Sequence, residues 1–451
     1  MVQKIGRFFT FLFVGFLPWS VVISVFGTER LDFGLVRFSK EIFLVVLVCT
    51  FLYDFIKNKK RVIFDSIDLF IGLYVVSLLL VSLFTGTPVR WIMYGLRYDT
   101  EFLIVFVLMR QAIRFWGIHF QDIAKVFIIS GGLMLCASLL IRYIFGETLL
   151  MIFGFSGRVS VWDGSWPPPI YHGIPGASVV RFQGMLEGPN QMAFFLLTYI
   201  GTYISVYFRF KKYRFINTLI VLLLIFLLTQ TYSRSGLLGL VLWASYLGCD
   251  FLLKKIRTFH AQPRKKIAWK KITITGLCFF MWGLLIFFQF APKFTEIMAR
   301  KWSTSAHFER MYIGYLRFLE QPLWHGLAQA GPASRSIAEV SQVPMPIESL
   351  NPEMRHLSGV FLAQNPDFVF STEHYYIPES WYIQQLVEGG AIVFVFFVGI
   401  FVSLILACKK YPVMIAVLLG VFVMNAFLHA FESTHTSLNL FIILASLLKK
   451  V

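Results

Sequence analysis

Charge is what this sequence has least of. Charged residues make up 14% of its 451 positions, against about 25% in soluble proteins. Cysteine is sparse as well. Cys49, Cys136, Cys249, Cys278 and Cys408 all fall inside or at the edge of apolar runs, and none forms a C-x-x-C pair. That excludes a disulfide framework and a zinc site as organising features and leaves small packing residues. No small-residue cleavage site follows the first apolar run after Lys4 and Arg7, so that run is read as a retained span rather than a signal peptide. No internal repeat is visible. What is abundant is apolar surface: 57% of residues are hydrophobic, 18% are aromatic, and fifty are Phe. A water-soluble core of this size does not hide that many rings, so the composition is that of a polytopic membrane protein.

The net charge of +17 does not point to nucleic acid, because of where it sits. Basic clusters at 57–61, 209–214, 254–257, 264–271 and 409–410 each lie between two apolar runs. This is the pattern of cytoplasmic loops. A bilayer core about 30 Å thick takes about 20 apolar residues per helix. That ruler gives twelve spans, near 8–26, 41–56, 68–85, 91–109, 122–145, 190–208, 216–231, 235–253, 272–291, 380–407, 412–431 and 436–448. With the N-terminus in the cytoplasm every basic cluster lands inside, and so does the C-terminal Lys449-Lys450.

The expected fold is therefore an all-α integral membrane protein. Residues 1–291 carry helices 1–9, and 379–451 carry helices 10–12. Two outside segments stand out. Residues 146–189, with Trp162, Trp166, the prolines at 167–169 and Tyr171, form helices poorly and are expected to lie on the membrane surface. Residues 292–378 form a large, mostly helical cap. Its apolar residues at Phe308, Met311, Tyr312, Tyr315 and Leu319 give an amphipathic helix over 305–321. The proline-bearing stretch 331–372 reads as loop.

Ionisable residues concentrate on the outer side, and each has a plain reading beside a functional one. Arg181 precedes Gly188-Pro189-Asn190, where Asn190 suits a helix N-cap. The arginine is either solvated or facing an anion beside that helix start. Arg234 sits in the short turn Ser233-Arg234-Ser235-Gly236, snorkelling to lipid phosphate or touching a ligand. On the amphipathic helix His307, Arg310 and Gly314 or Arg317 share a face, as a solvated stripe or as part of a site. Arg97, Asp99 and Glu101 fall inside the outer half of the fourth span. There Arg97 and Glu101 either neutralise each other at i and i+4 or line a cavity. Glu379, after Pro378 at the start of the tenth span, either caps the helix or acts as a general base on an acceptor hydroxyl. His374 is its rival for that role.

In this order the motifs resemble the O-antigen ligase and O-antigen polymerase superfamily. The resemblance rests on an R-x-x-G-x-x-x-x-P-N turn (Arg181, Gly184, Pro189, Asn190), the S-R-S-G turn at 233–236, and a large late outside loop. That loop holds Glu309-Arg310 and a glycine-bearing stretch from Gly326 to Gly331. The architecture covers nearly the whole chain, whereas the motifs cover some forty residues. The family's ligases carry H-[NSQ]-x9-G after the large loop. This chain has Glu379-Ser380, nine residues, then Gly390, so glutamate replaces histidine and the motif looks closer to polymerase-like members.

The resemblance implies a bacterial inner-membrane enzyme with its active site on the periplasmic side and both termini cytoplasmic. Such an enzyme moves a glycan with inversion from undecaprenyl pyrophosphate to an acceptor hydroxyl, without metal, nucleotide or other cofactor. The acceptor is another carrier-linked glycan for a polymerase and lipid A–core for a ligase. Arg181, Arg234, Arg310, Arg317, Arg97 and Asn190 are the expected contacts to pyrophosphate or substrate, and Glu379 or His374 is the expected base. From another class, a polysaccharide flippase or transporter is the alternative. It is expected to show repeated halves and broken helices.

Overall fold

The computed structural model describes residues 2–59, 61–160, 167–174, 177–208, 210–261, 301–323, 325–331 and 378–448. Helices dominate them. They are α1 (Val2–Phe16), α2 (Ser20–Glu29), α3 (Ser39–Asn58), α4 (Ser66–Phe84), α5 (Val89–Phe115), α6 (Phe120–Leu140), α7 (Leu149–Ile152), α8 (Pro189–Tyr207), α9 (Arg214–Gln230), α10 (Arg234–Ala261), α11 (Lys301–Glu320), α12 (Trp381–Ala407), α13 (Pro412–Asn425) and α14 (Thr434–Leu447). Among the described residues five stretches are long and apolar enough to cross a membrane: Val2–Glu29, Ser66–Phe84, Phe120–Phe145, Arg234–Lys254 and Trp381–Lys410. Large apolar side chains face outward along them and their neighbours, with Phe84 78% and Phe215 76% exposed. Such a surface suits lipid rather than water, and the chain fits a membrane-embedded protein. The expected span at 272–291 lies outside the described residues, as do 332–377, Trp162 and Trp166.

Local chemistry sets the helix ends. Pro18 has no N–H to donate, and the chain passes through a single 3-10 turn, Leu17–Trp19, between α1 and α2. Asp65 caps α4, accepting from the backbone N–H of Ile67 (3.0 Å) and Asp68 (3.3 Å). Arg110 from α5 grips Asp65 through both carboxylate oxygens, at 3.0 and 3.1 Å, and also contacts Asp68. A buried arginine held by two carboxylates keeps that end of the α4–α5 pair closed.

At the opposite end the helices carry the residues that the sequence leads one to expect on the outer side. α14 is buried along almost its whole length and forms the centre of the bundle against α5, α6 and α8. Beneath the polar end lies an aromatic cluster. Phe102 of α5 stacks on Phe431 (5.0 Å between centroids) and tilts against Phe441 of α14 (4.7 Å). Trp381, fully buried at the start of α12, packs edge-on to Phe102 and Phe431. These rings give the polar residues above them a stiff floor.

Two features were not expected. Within 146–189 the structure forms a three-stranded sheet in the order β1 (Ser156–Ser160), β2 (Pro169–Ile174), β3 (Ala177–Val180). The first pair is parallel (Ser156 opposite Pro169) and the second antiparallel (Gly173 opposite Val180). The β-branched residues of this segment find strand partners even though its glycines and prolines prevent a helix.

The second feature is a break in α12. Gly390 has φ 70° and ψ −175°, outside helical space. Residues 322–323 and 325–331 fill the gap: Ala391 N–H donates to Pro322 O (3.2 Å) and Gly326 N–H donates to Glu388 O (2.9 Å). Leu327 N–H reaches Ser82 Oγ of α4 at 2.9 Å, and Leu327 is fully buried. Non-helical backbone at this depth survives only where protein satisfies its polar groups, and here a loop does so.

Candidate functional site

Glu379 stands outside the helix it was expected to begin. α12 starts at Trp381 with Ser380 at the N-cap, and Glu379 holds a left-handed backbone with φ 52°. Pro378 is therefore not the first helical residue, and Glu379 is not a dipole-facing cap. For a non-glycine residue that conformation costs on the order of 1 kcal/mol and persists where surroundings impose it. Here the turn aims the carboxylate at α11. Glu379 Oε1 pairs with Arg310, and Oε2 lies 3.2 Å from His307 Nδ1.

The α11 face carrying His307, Arg310 and Gly314 makes this possible. Gly314 lets α11 sit directly on α12, because a Cβ there would lie 2.5 Å from Ile383 Cγ2 and 2.8 Å from Pro378 Cβ. Trp381 N–H donates to Leu428 O (3.3 Å), which brings the α13–α14 connection, and with it His429, to the same cluster. Burial alone would raise the Glu379 carboxyl. The His307 hydrogen bond and the charges of His307, Arg310 and His429 outweigh it and hold the group at about 2. Burial pushes the His429 imidazole down to about 4, against the attraction of Glu379. His429 Nε2 is buried and has no hydrogen-bond partner among the described residues.

The two turn motifs meet. Arg181 donates from Nε to Thr231 O (2.9 Å) and from Nη2 to Asn190 Oδ1 (2.9 Å), while Phe182 N–H donates to Gln230 O (2.9 Å). The N-cap of α8 is Gly188 rather than Asn190. With Pro189 filling the first turn, the Asn190 side chain is left to receive the guanidinium. Ser233 caps α10, accepting from Gly236 N–H at 3.2 Å, and so Arg234 opens that helix one residue beyond the cap. Arg181, Asn190 and Arg234 thus belong to one corner of the bundle.

Arg97 does not pair with Glu101. It reaches Glu41 at the start of α3, while Glu101 takes Lys40 at 3.0 Å. The i, i+4 geometry loses to a cross-helix exchange because α3 offers a charge of each sign at adjacent positions. Lys40 also donates to Thr434 Oγ1 (2.6 Å). His435 beside it lies 2.7 Å from Ser20 Oγ and 3.5 Å from Glu187. Burial raises the Glu187 carboxyl against the pull of Lys40. The segment 426–435 accordingly joins the Glu379 cluster to the network around Lys40 and Glu187.

Arg317 stands two turns beyond Arg310 on α11, where its carbonyl accepts from His325 Nε2 at 2.9 Å. His374 lies outside the described residues. Sequence reasoning left Glu388, Gln384 and Gln385 out of the site, yet all three are buried against Asp99. Asp99 Oδ1 accepts from Gln384 Nε2 (3.0 Å) and Gln385 Nε2 (3.4 Å), and Glu388 Oε1 accepts from Ala330 N–H (3.2 Å). The available signal was polar residues at 384, 385 and 388 on an otherwise apolar span. His429 was also passed over, a single histidine in a short connection.

The described residues form an α-helical bundle that fits a membrane-embedded protein, with arginines, histidines and carboxylates gathered at one end. The chain matches no protein-family model, and no curated protein sequence matches it.

Proposed function

We propose that the protein is an inner-membrane glycosyltransferase of surface polysaccharide assembly. In this reading it has twelve spans, cytoplasmic termini and a periplasmic cap. It moves a glycan from undecaprenyl pyrophosphate to an acceptor hydroxyl, preferably that of another carrier-linked glycan, as a polymerase does. The observation that carries the reading is the Glu379–His307–Arg310 cluster, held beside His429 at the end of the bundle where Arg181 and Arg234 also lie.

The chemistry asks for two things. The departing pyrophosphate needs fixed positive charge, and arginine supplies rigid, permanently charged donors. Arg181, Arg234 and Arg310 take that role, with Arg317 and Arg97 as outlying contacts and Asn190 orienting Arg181. The acceptor hydroxyl needs a proton acceptor as it attacks the anomeric carbon. At a pKa of about 2 Glu379 is a weak base, so an acceptor has to displace Arg310 or His307 before the carboxylate takes the proton. His429, neutral in the same cluster, offers its lone pair without that exchange. His374 is the third candidate for this role.

The break at Gly390 favours a second reading, a flippase or transporter, since transporters use discontinuous helices. Here Pro322 and Gly326 complete the hydrogen bonding at the break, and the sequence carries no visible repeat, so the enzyme reading is preferred. One reconstitution separates the cases. The full chain in proteoliposomes is given a glycan linked to undecaprenyl pyrophosphate. Lengthening on the carrier without lipid A–core supports the polymerase. A requirement for lipid A–core supports a ligase. Passage of the unaltered carrier-linked glycan, with no new glycosidic bond, refutes the enzyme and supports the transporter.

A further inference from the structure

At the end of the bundle away from this cluster, a cavity of about 420 Å³ opens between α1 and α6. Its lining mixes polar and apolar side chains: Arg7, His119, Asp122 and Lys125 stand with Phe11, Ile118 and Val126. We propose that this groove binds an anionic phospholipid. The phosphate sits between Arg7 and Lys125, and the upper acyl chain lies along Phe11 and Val126.

Arg7 is fixed rather than waving in solvent. Its Nε donates to Trp116 O at 2.6 Å, and its Nη2 lies 3.1 Å from where a Cβ on Gly117 would stand. Gly117 turns the chain between α5 and α6 with φ 65°, leaving the guanidinium room beside the turn. Lys125 is exposed and lies at the head of a lipid-facing stripe on α6, followed at i+4 and i+8 by Ile129 and Leu133, 61% and 59% exposed. On α1, Ile5, Phe8 and Leu12 are likewise exposed, so apolar surface flanks the mouth on both sides.

Beside the groove α1 and α6 come together at Gly15, where an added Cβ would lie 3.5 Å from Val126 Cγ1. Arg7 and Gly15 are eight residues apart, about 12 Å along a helix. That is room for a headgroup and the first carbons of a chain. Arg7 and Lys125 against the one carboxylate, Asp122, leave the mouth net positive whatever the charge of His119. A basic mouth over an apolar groove at a membrane surface selects an anionic lipid over a zwitterionic one. A free anion would use the mouth and leave the apolar wall idle.

The test uses the purified, delipidated full chain in detergent, titrated with phosphatidylglycerol or with phosphatidylcholine of the same acyl chains. Bound lipid is counted by native mass spectrometry. Phosphatidylglycerol should bind more tightly. Lys125→Ala should weaken it about fivefold, as expected for one cation near a headgroup, and Asp122→Asn should strengthen it. Lys125 is solvent-exposed, so the substitution leaves the fold intact. Lys212→Ala, removing an exposed basic residue elsewhere, should change nothing. Equal binding of the two lipids overturns the proposal. So does a Lys212→Ala loss as large as that of Lys125→Ala, which would mean a diffuse basic belt. Displacement of the lipid by millimolar inorganic phosphate would identify a free-anion site and also overturn it.

Discussion

Replacing Glu379 by Gln keeps the shape of the side chain and removes its charge, which makes it a stand-in for the protonated acid. Holding the carboxyl at about 2 instead of its ordinary 4.5 corresponds to roughly 3 kcal/mol favouring the ionised, folded state. Both partners of the ion pair are largely enclosed, with side chains 14% and 15% exposed, so solvent screening takes little from that figure. Glu379→Gln should therefore cost about 3 kcal/mol at pH 7, in the range for leaving a buried partner uncompensated. The sign with pH follows from a depressed carboxylate. The stabilisation is complete above about pH 4.5 and is lost as pH falls through about 2. By pH 3 the gap between the wild-type residue and Gln should shrink to about 1 kcal/mol. The measurement is denaturant unfolding in mild detergent between pH 3 and 7, with His429→Asn in both arms so that the histidine adds no titration. A gap that stays constant across this range would refute the electrostatic account. A gap near zero at pH 7 would mean that the His307 and Arg310 contacts contribute nothing to folding.

Gly390→Ala should destabilise the protein by about 2–4 kcal/mol, combining backbone strain with a lost hydrogen bond, because its Cβ would lie 2.5 Å from Leu323 O. Gly248→Ala, on a helix with open space around it, should be neutral or slightly stabilising in the same unfolding assay. On the proposed transferase function, Arg181→Ala should lower glycan transfer about 100-fold while the protein remains folded in detergent, and Arg181→Lys should recover little, since an ammonium cannot hold Thr231 O and Asn190 in one planar fork. His429, held at about 4, should make the wild type lose stability as pH falls from about 6.5 towards 4, where the unfolded chain takes up a proton that the folded chain refuses. His429→Asn should flatten that part of the stability profile.

The helical class was legible because apolar runs and basic clusters are one-dimensional signals. Outside 272–291, each apolar run read from the sequence falls on a helix. The common motif places Arg181 near the start of α8, but its bond to the Asn190 side chain was not legible, and the cap role expected of Asn190 belongs to Gly188. Pairings between helices were not legible. Arg97 and Glu101 satisfy the i, i+4 rule, yet each finds a partner on α3, because sequence spacing says nothing about which helix packs alongside. The left-handed turn at Glu379 was hidden too. Pro378 and a following acid suit a helix start, and only the approach of α11 at Gly314 draws the carboxylate away. The strands in 146–189 were lost to the glycines and prolines around them, which exclude helix without revealing sheet.

The loop lodged in the break of α12 bears on how this protein can be recombined. In a modular cap, everything between α11 and α12 could be exchanged as a cassette while the membrane helices stayed behind. Here Pro322 and Gly326 complete the backbone hydrogen bonding of Glu388 and Ala391, so a graft that replaces 322–331 also removes part of a membrane helix. A working chimera must carry 322–331 and the 384–391 stretch of α12 from the same parent, together with Ser82 of α4, which anchors Leu327. The natural unit of exchange therefore runs across three elements of the chain, the end of α4, the loop after α11 and the broken turn of α12, rather than stopping at a helix end.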